Sequence, residues 1–335
     1  MITKATLSSG VTLLAAQVVL SGALHPASAA SSGSPQDIRE ITSIENELAS
    51  ETDIDRVMPL YAEDAILIDI ASPGWYEGHQ QIYAAVQPQL AALQSIKYRM
   101  DEISIASDGQ LACAAMQIHF DAMKKDNTSL KLSIRQIDAF QKIGGNWRII
   151  QQHLSVPVEQ KSSTPIYDAT LSSRGPLPFS QGIAPGPSAP VPQAKKEILK
   201  WLMASETPKS IDEMTGYYGP GEEFLIFDWW APREVRGHKE LLDYYAPQFK
   251  GVRDMDIKVP VVKVASDGML GAQVSQQHLS INMKDGTHQL ISFRQSDCVH
   301  RVGKTWYSFF EMGSFPVDNK TGKAVMVNPA AFSEK

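Results

Sequence analysis

Histidine and carboxylate side chains recur on predicted strands, where they could exchange protons with a bound molecule. His119 and His153 lie in runs of residues with the alternating pattern of β-strands, and Asp69 lies in a shorter run. Imidazole titrates near neutral pH, and a neighbouring carboxylate can orient the ring or act as a base. These three residues are the candidate catalytic groups. The alternative interpretation makes both histidines hydrogen-bonded structural residues of the core or its rim.

Arg135 is a candidate for binding an anionic group, because a guanidinium can donate two parallel hydrogen bonds to a carboxylate. Successive side chains of a strand point to opposite faces of the sheet. Arg135 therefore shares a face with Ser133, whereas Gln136 and Asp138 share the other face. A structural ion pair is the alternative role for this arginine.

The sequence contains an internal repeat. Residues 106–109 (ASDG) return at 265–268, and the same shift of 159 residues relates positions 63 to 159 with their counterparts without a gap. We therefore expect a first domain at 36–159 and a second at 194–318. The segment 160–193 is rich in proline and has linker composition, and 319–335 reads as a loose tail. The shift carries the candidate residues Asp69, His119 and Arg135 to Asp228, His278 and Arg294.

Each half reads as helices followed by long strands. In the first half, apolar residues recur at helical spacing from Ile38 to Leu48, and Asp53 is a candidate N-cap of a short helix at 53–61. A strand at 65–70 and a helix at 79–93 follow. Four strands are then predicted at about 96–105, 111–123, 130–143 and 147–156. This order is typical of an α+β fold.

The order of elements and several motifs resemble the SnoaL-like branch of the nuclear transport factor 2-like superfamily. The motifs are residues 61–65 (YAEDA), 78–82 (GHQQI), Arg135, 145–149 (GNWRI) and 152–155 (QHLS). The resemblance implies two tandem cones, each a curved antiparallel sheet wrapped around about three helices, with a pocket at the wide end. It also implies that Arg135 points into the pocket and Asp138 away from it. The superfamily includes isomerases, dehydratases, cyclases and non-enzymatic modules, so the resemblance does not select a function.

These expectations define a candidate ligand site. A ligand of the first cone is expected to contact Arg135 and His153, and Tyr61 with Asp69 could supply the tyrosine and carboxylate of an isomerase-type site. The candidate ligand-binding residues of both copies are Tyr61, Trp75, Arg135, Asp228, Trp230, His278 and Arg294.

The copies differ where chemistry is expected. The repeat replaces His153 with Met312 and places Trp229 and Trp230 beside Asp228. The first copy is therefore the better candidate for catalysis, and the second is the more aromatic.

Composition and motifs exclude several classes of function. The net charge is −6 and no long basic run is present, so nucleic acid is not an expected partner. The sequence has no metal-ligand spacing, phosphate loop or dinucleotide fingerprint, so no metal or cofactor is expected. Lys4, the apolar run 11–20 and Ala-Ser-Ala at 27–29 predict a signal peptide at 1–29 and a periplasmic or secreted protein. That run is too short to span a bilayer, so no membrane association is expected after cleavage.

The two cysteines, Cys113 and Cys298, do not correspond in the repeat. Two buried free thiols are the favoured interpretation, and a bridge would require an interface that brings the halves together. We expect such an interface within a monomeric chain, because domains of this superfamily often pair through the outer faces of their sheets. The outward residues are predicted to be Leu132, Ile134, Gln136 and Asp138, with Ile291, Phe293, Gln295 and Asp297 opposite.

Three functions remain open from the sequence. The first is binding of a small organic ligand in one or both cones. The second is an isomerase-, dehydratase- or cyclase-type enzyme acting by acid–base chemistry in the first domain. The third is a non-catalytic assembly role in which the pockets are vestigial.

Overall fold

The computed structural model of the chain describes residues 30–71, 73–167, 174–177, 188–219, 223–230 and 234–328. The predicted signal peptide at 1–29 lies outside these residues. None of the described helices is long and apolar enough to cross a membrane.

Domain 1 consists of three α-helices and a seven-stranded sheet. The helices are α1 (Pro35–Ser50), α2 (Ile54–Val57) and α3 (Gly78–Ala91), with a 3-10 turn at Met58–Leu60. The strands are β1 (Ala30–Ser32), β2 (Tyr61–Ile68), β3 (Trp75–Glu77), β4 (Leu93–Ser107), β5 (Leu111–Lys124), β6 (Ser129–Ile143) and β7 (Asn146–Ser155). Their order in the sheet is β1-β4-β5-β6-β7-β2-β3.

Domain 2 repeats this plan with three helices and a six-stranded sheet. The helices are α4 (Val191–Ser205), α5 (Ile211–Thr215) and α6 (Gly237–Phe249). The strands are β10 (Leu225–Phe227), β11 (Glu234–Arg236), β12 (Val252–Ser266), β13 (Leu270–Met283), β14 (His288–Val302) and β15 (Thr305–Ser314), in the order β11-β10-β15-β14-β13-β12. The α+β class and the two tandem cones are thus confirmed.

The sheets are mixed rather than purely antiparallel. The four long strands of each domain form an antiparallel meander, as predicted, but β2 pairs parallel with β7 and β10 pairs parallel with β15. The meander separates β2 from β7 in the sequence, and likewise β10 from β15. A long connection of this kind is what a parallel pair requires.

Local sequence explains where the helices begin. Ser34 caps α1 by accepting a hydrogen bond from the Asp37 amide at 3.1 Å, and Asp53 caps α2 through the Asp55 amide at 3.0 Å. The apolar stripe of α1 faces the sheet, and Ile41 on it is fully buried.

The same anchor holds the first helix of each domain against its last strands. The indole Nε1 of Trp147 donates to Asp37 of α1 at 3.1 Å, and that of Trp306 donates to Glu197 of α4 at 3.0 Å. Trp147 and Trp306 are related by the repeat. Their retention therefore reflects how the cone is closed.

The predicted linker and tail contain short ordered segments with buried residues. Strand β8 (Val158–Glu159) at the end of domain 1 forms a short hairpin with β9 (Thr164–Pro165) of the linker, and Leu177 of the linker is buried. The tail carries β17 (Lys323–Ala324), which pairs with β16 (Val317–Asp318) at the end of domain 2. A search for hydrophobic patterns does not find such segments, because backbone hydrogen bonds hold them in place.

Contacts between the domains are reciprocal. The Val158 amide of domain 1 donates to the Trp229 carbonyl of domain 2 at 3.1 Å. The Val317 amide of domain 2 donates to the Ile70 carbonyl of domain 1 at 2.9 Å. Both members of the second pair are 159 residues from members of the first. The two halves thus meet about an approximate two-fold axis.

A disulfide between Cys113 of β5 and Cys298 of β14 links the domains covalently. The free-thiol interpretation of the sequence is therefore wrong. The cysteines do not correspond in the repeat, but each faces the other domain, so one interface suffices to bring them together.

Candidate functional site

The interior of domain 1 contains a chain of buried polar side chains. The Tyr61 hydroxyl donates to Gln152 at 2.5 Å, and the Gln152 amide donates to Asp138 at 2.9 Å. Gln136 donates to both Asp138, at 2.8 Å, and Glu45 of α1, at 3.0 Å. All five side chains are buried within the domain.

Domain 2 holds a related chain in which several members differ. The Tyr218 hydroxyl donates to Glu311 at 2.7 Å, and the Gln295 amide donates to Asp297 at 3.0 Å and also to Glu206. Glu311 replaces the amide of domain 1 with a carboxyl group. The interior of domain 2 thus collects three carboxyl groups in one hydrogen-bonded chain.

The pKa values of these carboxyl groups are all raised above those of carboxyl groups in water. Burial raises the pKa of Asp138 to about 7 and that of Glu206 to about 8, and burial with the charge of Asp138 raises the pKa of Glu45 well above its usual range. Burial also raises the pKa of Asp297 to about 6, and burial followed by the Asp297 charge raises that of Glu311. A carboxylic acid in this state can donate a hydrogen bond or exchange a proton.

Each cone encloses a cavity against this chain. The domain 1 cavity has a volume of ≈ 200 Å³ and is mainly aliphatic. The apolar side chains that line it include Leu48, Val57, Leu67, Ile70, Val86, Leu90, Ile118, Phe120, Leu132, Ile134 and Leu154. Its polar lining includes Glu45, Tyr61, Asp69 and Gln136.

The domain 2 cavity has a volume of ≈ 210 Å³, and its apolar lining combines aromatic side chains with aliphatic side chains and methionines. The aromatic side chains that line it are Trp201, Tyr217, Tyr218, Trp229, Trp230, Tyr245 and Phe249. Its carboxyl groups are Glu206, Asp228 and Glu311. Tyr244 and Tyr245 of α6 donate to the Asp228 carboxylate at 3.0 and 2.7 Å.

The predicted arginines do not line either cavity. The Arg135 Nη1 donates to the carbonyl oxygen of Asp228 at 2.6 Å, and the Arg294 Nη1 donates to those of Asp69 at 2.6 Å and Gly74 at 3.2 Å. Gly74 has φ +62°, and a Cβ there would lie 2.2 Å from the arginine, so only glycine fits. Each arginine holds the backbone of the other domain beneath a cavity carboxylate. The expected position of Arg135 inside its cone was wrong.

His153 also lies between the domains. Its ring nitrogens lie 2.7 Å from the hydroxyl oxygens of Ser296 and Ser314, both in domain 2, and the side chain is fully buried. Burial, with the charges of Arg294 and Arg135, lowers the pKa of His153 well below its usual range. A neutral ring is thus fixed between two hydroxyl groups, away from both cavities. The interpretation of this histidine as structural matches its surroundings.

The other two candidate histidines, His119 and His278, lie on the same outer faces. The His119 Nδ1 is 2.7 Å from the Ser133 hydroxyl and its Nε2 is 3.1 Å from Asp101, whereas the His278 Nδ1 is 3.0 Å from the Ser292 hydroxyl. Each pair joins the second and third strands of its meander. Neither histidine lines a cavity described above.

The other candidates divide between cavities and core. Tyr61 and Asp69 line the domain 1 cavity, and Asp228 and Trp230 line the domain 2 cavity. Trp75 instead packs against an apolar cluster between the domains, formed by Ile66, Ile68 and Val274.

The residues of domain 1 that were predicted to lie at the domain interface face the interior of their own domain. Leu132, Ile134 and Gln136 line the domain 1 cavity, so Asp138 lies inside and Arg135 outside. Strand alternation correctly grouped these residues, but the face was chosen by resemblance. The apolar members of the group were the signal that identifies the face turned towards the helices.

A β-bulge changes the faces of the last strand as well. Phe140 pairs with Ile149 and Ala139 with Gln151, which leaves Ile150 as the extra residue. Trp147 therefore points inward while His153 points outward. Domain 2 has the same irregularity at Phe309.

Glu45 and Glu206 were also missed, because their helices showed no chemical motif.

No group of three or more histidine, cysteine, aspartate or glutamate side chains suited to a metal ion occurs within the described part of the chain. The polar chains of both cones consist of hydrogen-bonded amides, hydroxyls and carboxyl groups.

Comparison with known families matches residues 40–159 to the SnoaL-like domain. The first domain is a SnoaL-like domain. Domain 2 lies outside the matched residues and repeats the strand order of domain 1. No curated protein matches the chain.

Solved structures similar to the SnoaL-like protein include two bacterial proteins. An NTF2-like protein of unknown function from Pseudomonas putida is 18% identical, with 40% of this chain and 94% of that chain covered and a TM-score of 0.36. A nuclear transport factor 2-like superfamily protein from Salmonella enterica is 16% identical, with coverage of 40% and 99% and a TM-score of 0.35.

Proposed function

We propose that this SnoaL-like protein binds a small organic ligand in the cone of domain 2. The observation that carries the proposal is the cavity in which aromatic walls meet the carboxyl groups of Glu206, Asp228 and Glu311. An apolar pocket with a few convergent polar groups is the usual form of a small-molecule site. Its volume of ≈ 210 Å³ suits a ligand of about one ring, since an apolar cavity of about 150 Å³ holds benzene.

Native mass spectrometry of the protein purified from its own host tests this proposal. We expect a retained small molecule that is lost in a Trp230→Ala variant, because that indole lines the cavity. Leu132→Ala is the matched control, since Leu132 lines the domain 1 cavity. Retention by both variants, or loss in the control alone, would contradict a ligand in domain 2.

Acid–base chemistry on the ligand is the second candidate function. Glu206 lines the domain 2 cavity with a pKa of about 8, and Asp297 beside it has a pKa of about 6. Such a split supports one group that holds a proton and one that accepts it. Incubation of the retained ligand with the protein in D₂O should introduce deuterium at carbon, and Glu206→Gln should stop it. Unchanged ligand mass after long incubation would leave binding as the function.

We also propose that the protein acts in an oxidising compartment after export. The disulfide between Cys113 and Cys298 supports this, because such bonds persist mainly outside the reducing cytosol. The signal-like residues 1–29 support it independently. N-terminal sequencing of the exported protein should give a start near Ala30, and a start at Met1 in that fraction would refute cleavage.

A further inference from the structure

We propose that the ligand of domain 2 is a small organic cation, an ammonium group that carries an apolar or aromatic substituent. The inference rests on the proposed function, because it names the chemical class that the domain 2 cavity selects.

The first argument is charge. Three carboxyl groups line the cavity, and none of the described residues that line it is a lysine, an arginine or a histidine. Arg135 of domain 1 does not line the cavity, and its guanidinium donates to the backbone carbonyl of Asp228. A cationic ligand would supply the positive charge that the lining of this cavity lacks.

The second argument is the aromatic wall. Ring faces attract ammonium groups, and an aromatic cage is the usual site for a quaternary ammonium ion. Trp229 packs against Phe293 with ring centroids 4.4 Å apart, and Trp230 packs against Phe315 at 5.0 Å. The two indoles that line the cavity are thus fixed by a second layer of rings. A wall held in this way loses little conformational entropy on binding.

The third argument is the contrast with domain 1. The repeat places Ile70 and Ala71 where domain 2 has Trp229 and Trp230. The domain 1 cavity keeps a carboxyl-bearing polar chain but has an aliphatic wall. Acid groups alone therefore belong to the shared fold, whereas their combination with an aromatic cage is specific to domain 2.

Proton release should accompany the binding of a cation. No cation is among the described groups that act on Glu206, which are Gln277 of β13, Gln295 and Asp297 of β14, Glu311 of β15 and Tyr218. A bound ammonium would favour the ionised carboxylate and displace its proton. Affinity for a permanent cation should therefore rise with pH and level off above about 8, where Glu206 is already ionised.

Three probes of similar shape test the inference: phenyltrimethylammonium, its neutral isostere tert-butylbenzene, and benzoate. Binding is followed by tryptophan fluorescence, and proton release by calorimetry in two buffers of different ionisation enthalpy. We expect the cation to bind at least tenfold more tightly than the neutral isostere, about 1.4 kcal/mol, and benzoate to bind most weakly. The charge of phenyltrimethylammonium does not change with pH. A rise in its affinity from pH 6 to pH 8 therefore results from ionisation of groups in the protein.

Matched variants assign the effect to domain 2. Glu206→Gln should remove the pH dependence and at least tenfold of the affinity for the cation, and Glu45→Gln in domain 1 should change neither. A Trp229→Ile, Trp230→Ala double variant, which carries the domain 1 residues, should lose the preference for the cation. Melting curves of each variant establish that it is folded.

The outcomes separate the two proposals. Equal or tighter binding of tert-butylbenzene, or a Glu206→Gln variant with unchanged affinity for the cation, overturns the cation while leaving a ligand site in domain 2. Absence of binding by all three probes, together with no retained ligand in the protein from its host, overturns the proposed function itself.

Discussion

The two cones share a polar chain but differ in what surrounds it. In domain 1 the chain runs through Tyr61, Gln152 and Asp138, and the cavity beside it is aliphatic. In domain 2, Glu311 replaces the glutamine, and aromatic side chains form part of the cavity wall. The shared part therefore reflects how the cone is held together, whereas the differences identify the domain that is suited to a ligand.

Removal of the disulfide that links the domains is expected to have the largest effect on the free energy of unfolding. Replacing Cys113 and Cys298 with alanine should lower the free energy of unfolding by about 2–5 kcal/mol, because the bond restrains the unfolded chain. Urea unfolding of the oxidised protein and the variant measures the loss. The wild type in reductant should match the variant. Coincident curves for all three samples would show that the bond does not contribute.

The reciprocal arginines test how far each domain supports the other. Arg135→Met and Arg294→Met should each cost about 1.5–3 kcal/mol, the scale of a hydrogen bond that involves a charged group. Arg135→Met should also weaken binding in domain 2, because it frees the backbone of Asp228. Arg294→Met should leave that binding unchanged and serves as the control. Equal effects of both variants on binding would rule out this cross-domain support.

The pH dependence of stability compares the carboxyl groups directly. The pKa of Glu206 is raised from 4.5 to about 8 in the folded protein, so its contribution to stability is complete below pH 4.5 and is lost as the pH rises through 8. The melting temperature of Glu206→Gln relative to wild type should therefore increase between pH 5 and pH 9. Thermal melts across this range measure it. A constant difference would show that Glu206 ionises normally.

An exposed ion pair between the domains provides the smallest effect. Lys263 of domain 2 lies 2.6 Å from Glu77 of domain 1, and both side chains are nearly half exposed. Lys263→Ala should change the free energy of unfolding by only ~0–1 kcal/mol, since water and salt screen such pairs. Denaturation at low and high salt tests this. A loss as large as that of an arginine variant would show that this pair, too, is part of the interface.

Much of the fold could be predicted because its signals are local or repeated. The ASDG turns, the helical spacing from Ile38 to Leu48 and the N-cap at Asp53 gave the elements, and the shift of 159 residues gave the two domains. The hairpin after Val158 was missed, because a few backbone hydrogen bonds leave no hydrophobic pattern in the sequence.

The candidate site was harder to predict, since alternation groups side chains without saying which group faces inward. His153 was expected to contact a ligand of the first cone, because nothing in the sequence marks the bulge at Ile150 that turns its side chain outward. His153, Arg135 and Arg294 are residue types suited to chemistry, yet in this protein they join the domains. The carboxyl groups that line the cavities depend on helix-to-sheet contacts such as that of Gln136 with Glu45, which are distant in sequence.

Joining the halves in one chain lets the two sides of the axis evolve separately. In a dimer of identical subunits every substitution appears twice, so a histidine on one side of the axis would also be present on the other. Here the ring nitrogens of His153 form hydrogen bonds with the hydroxyl groups of Ser296 and Ser314. Met312, the residue of domain 2 that corresponds to His153, instead accepts a hydrogen bond from the Ser155 hydroxyl. A single mutation in the gene can therefore alter one cone and spare the other, which is the freedom that a ligand site needs to specialise without losing its scaffold.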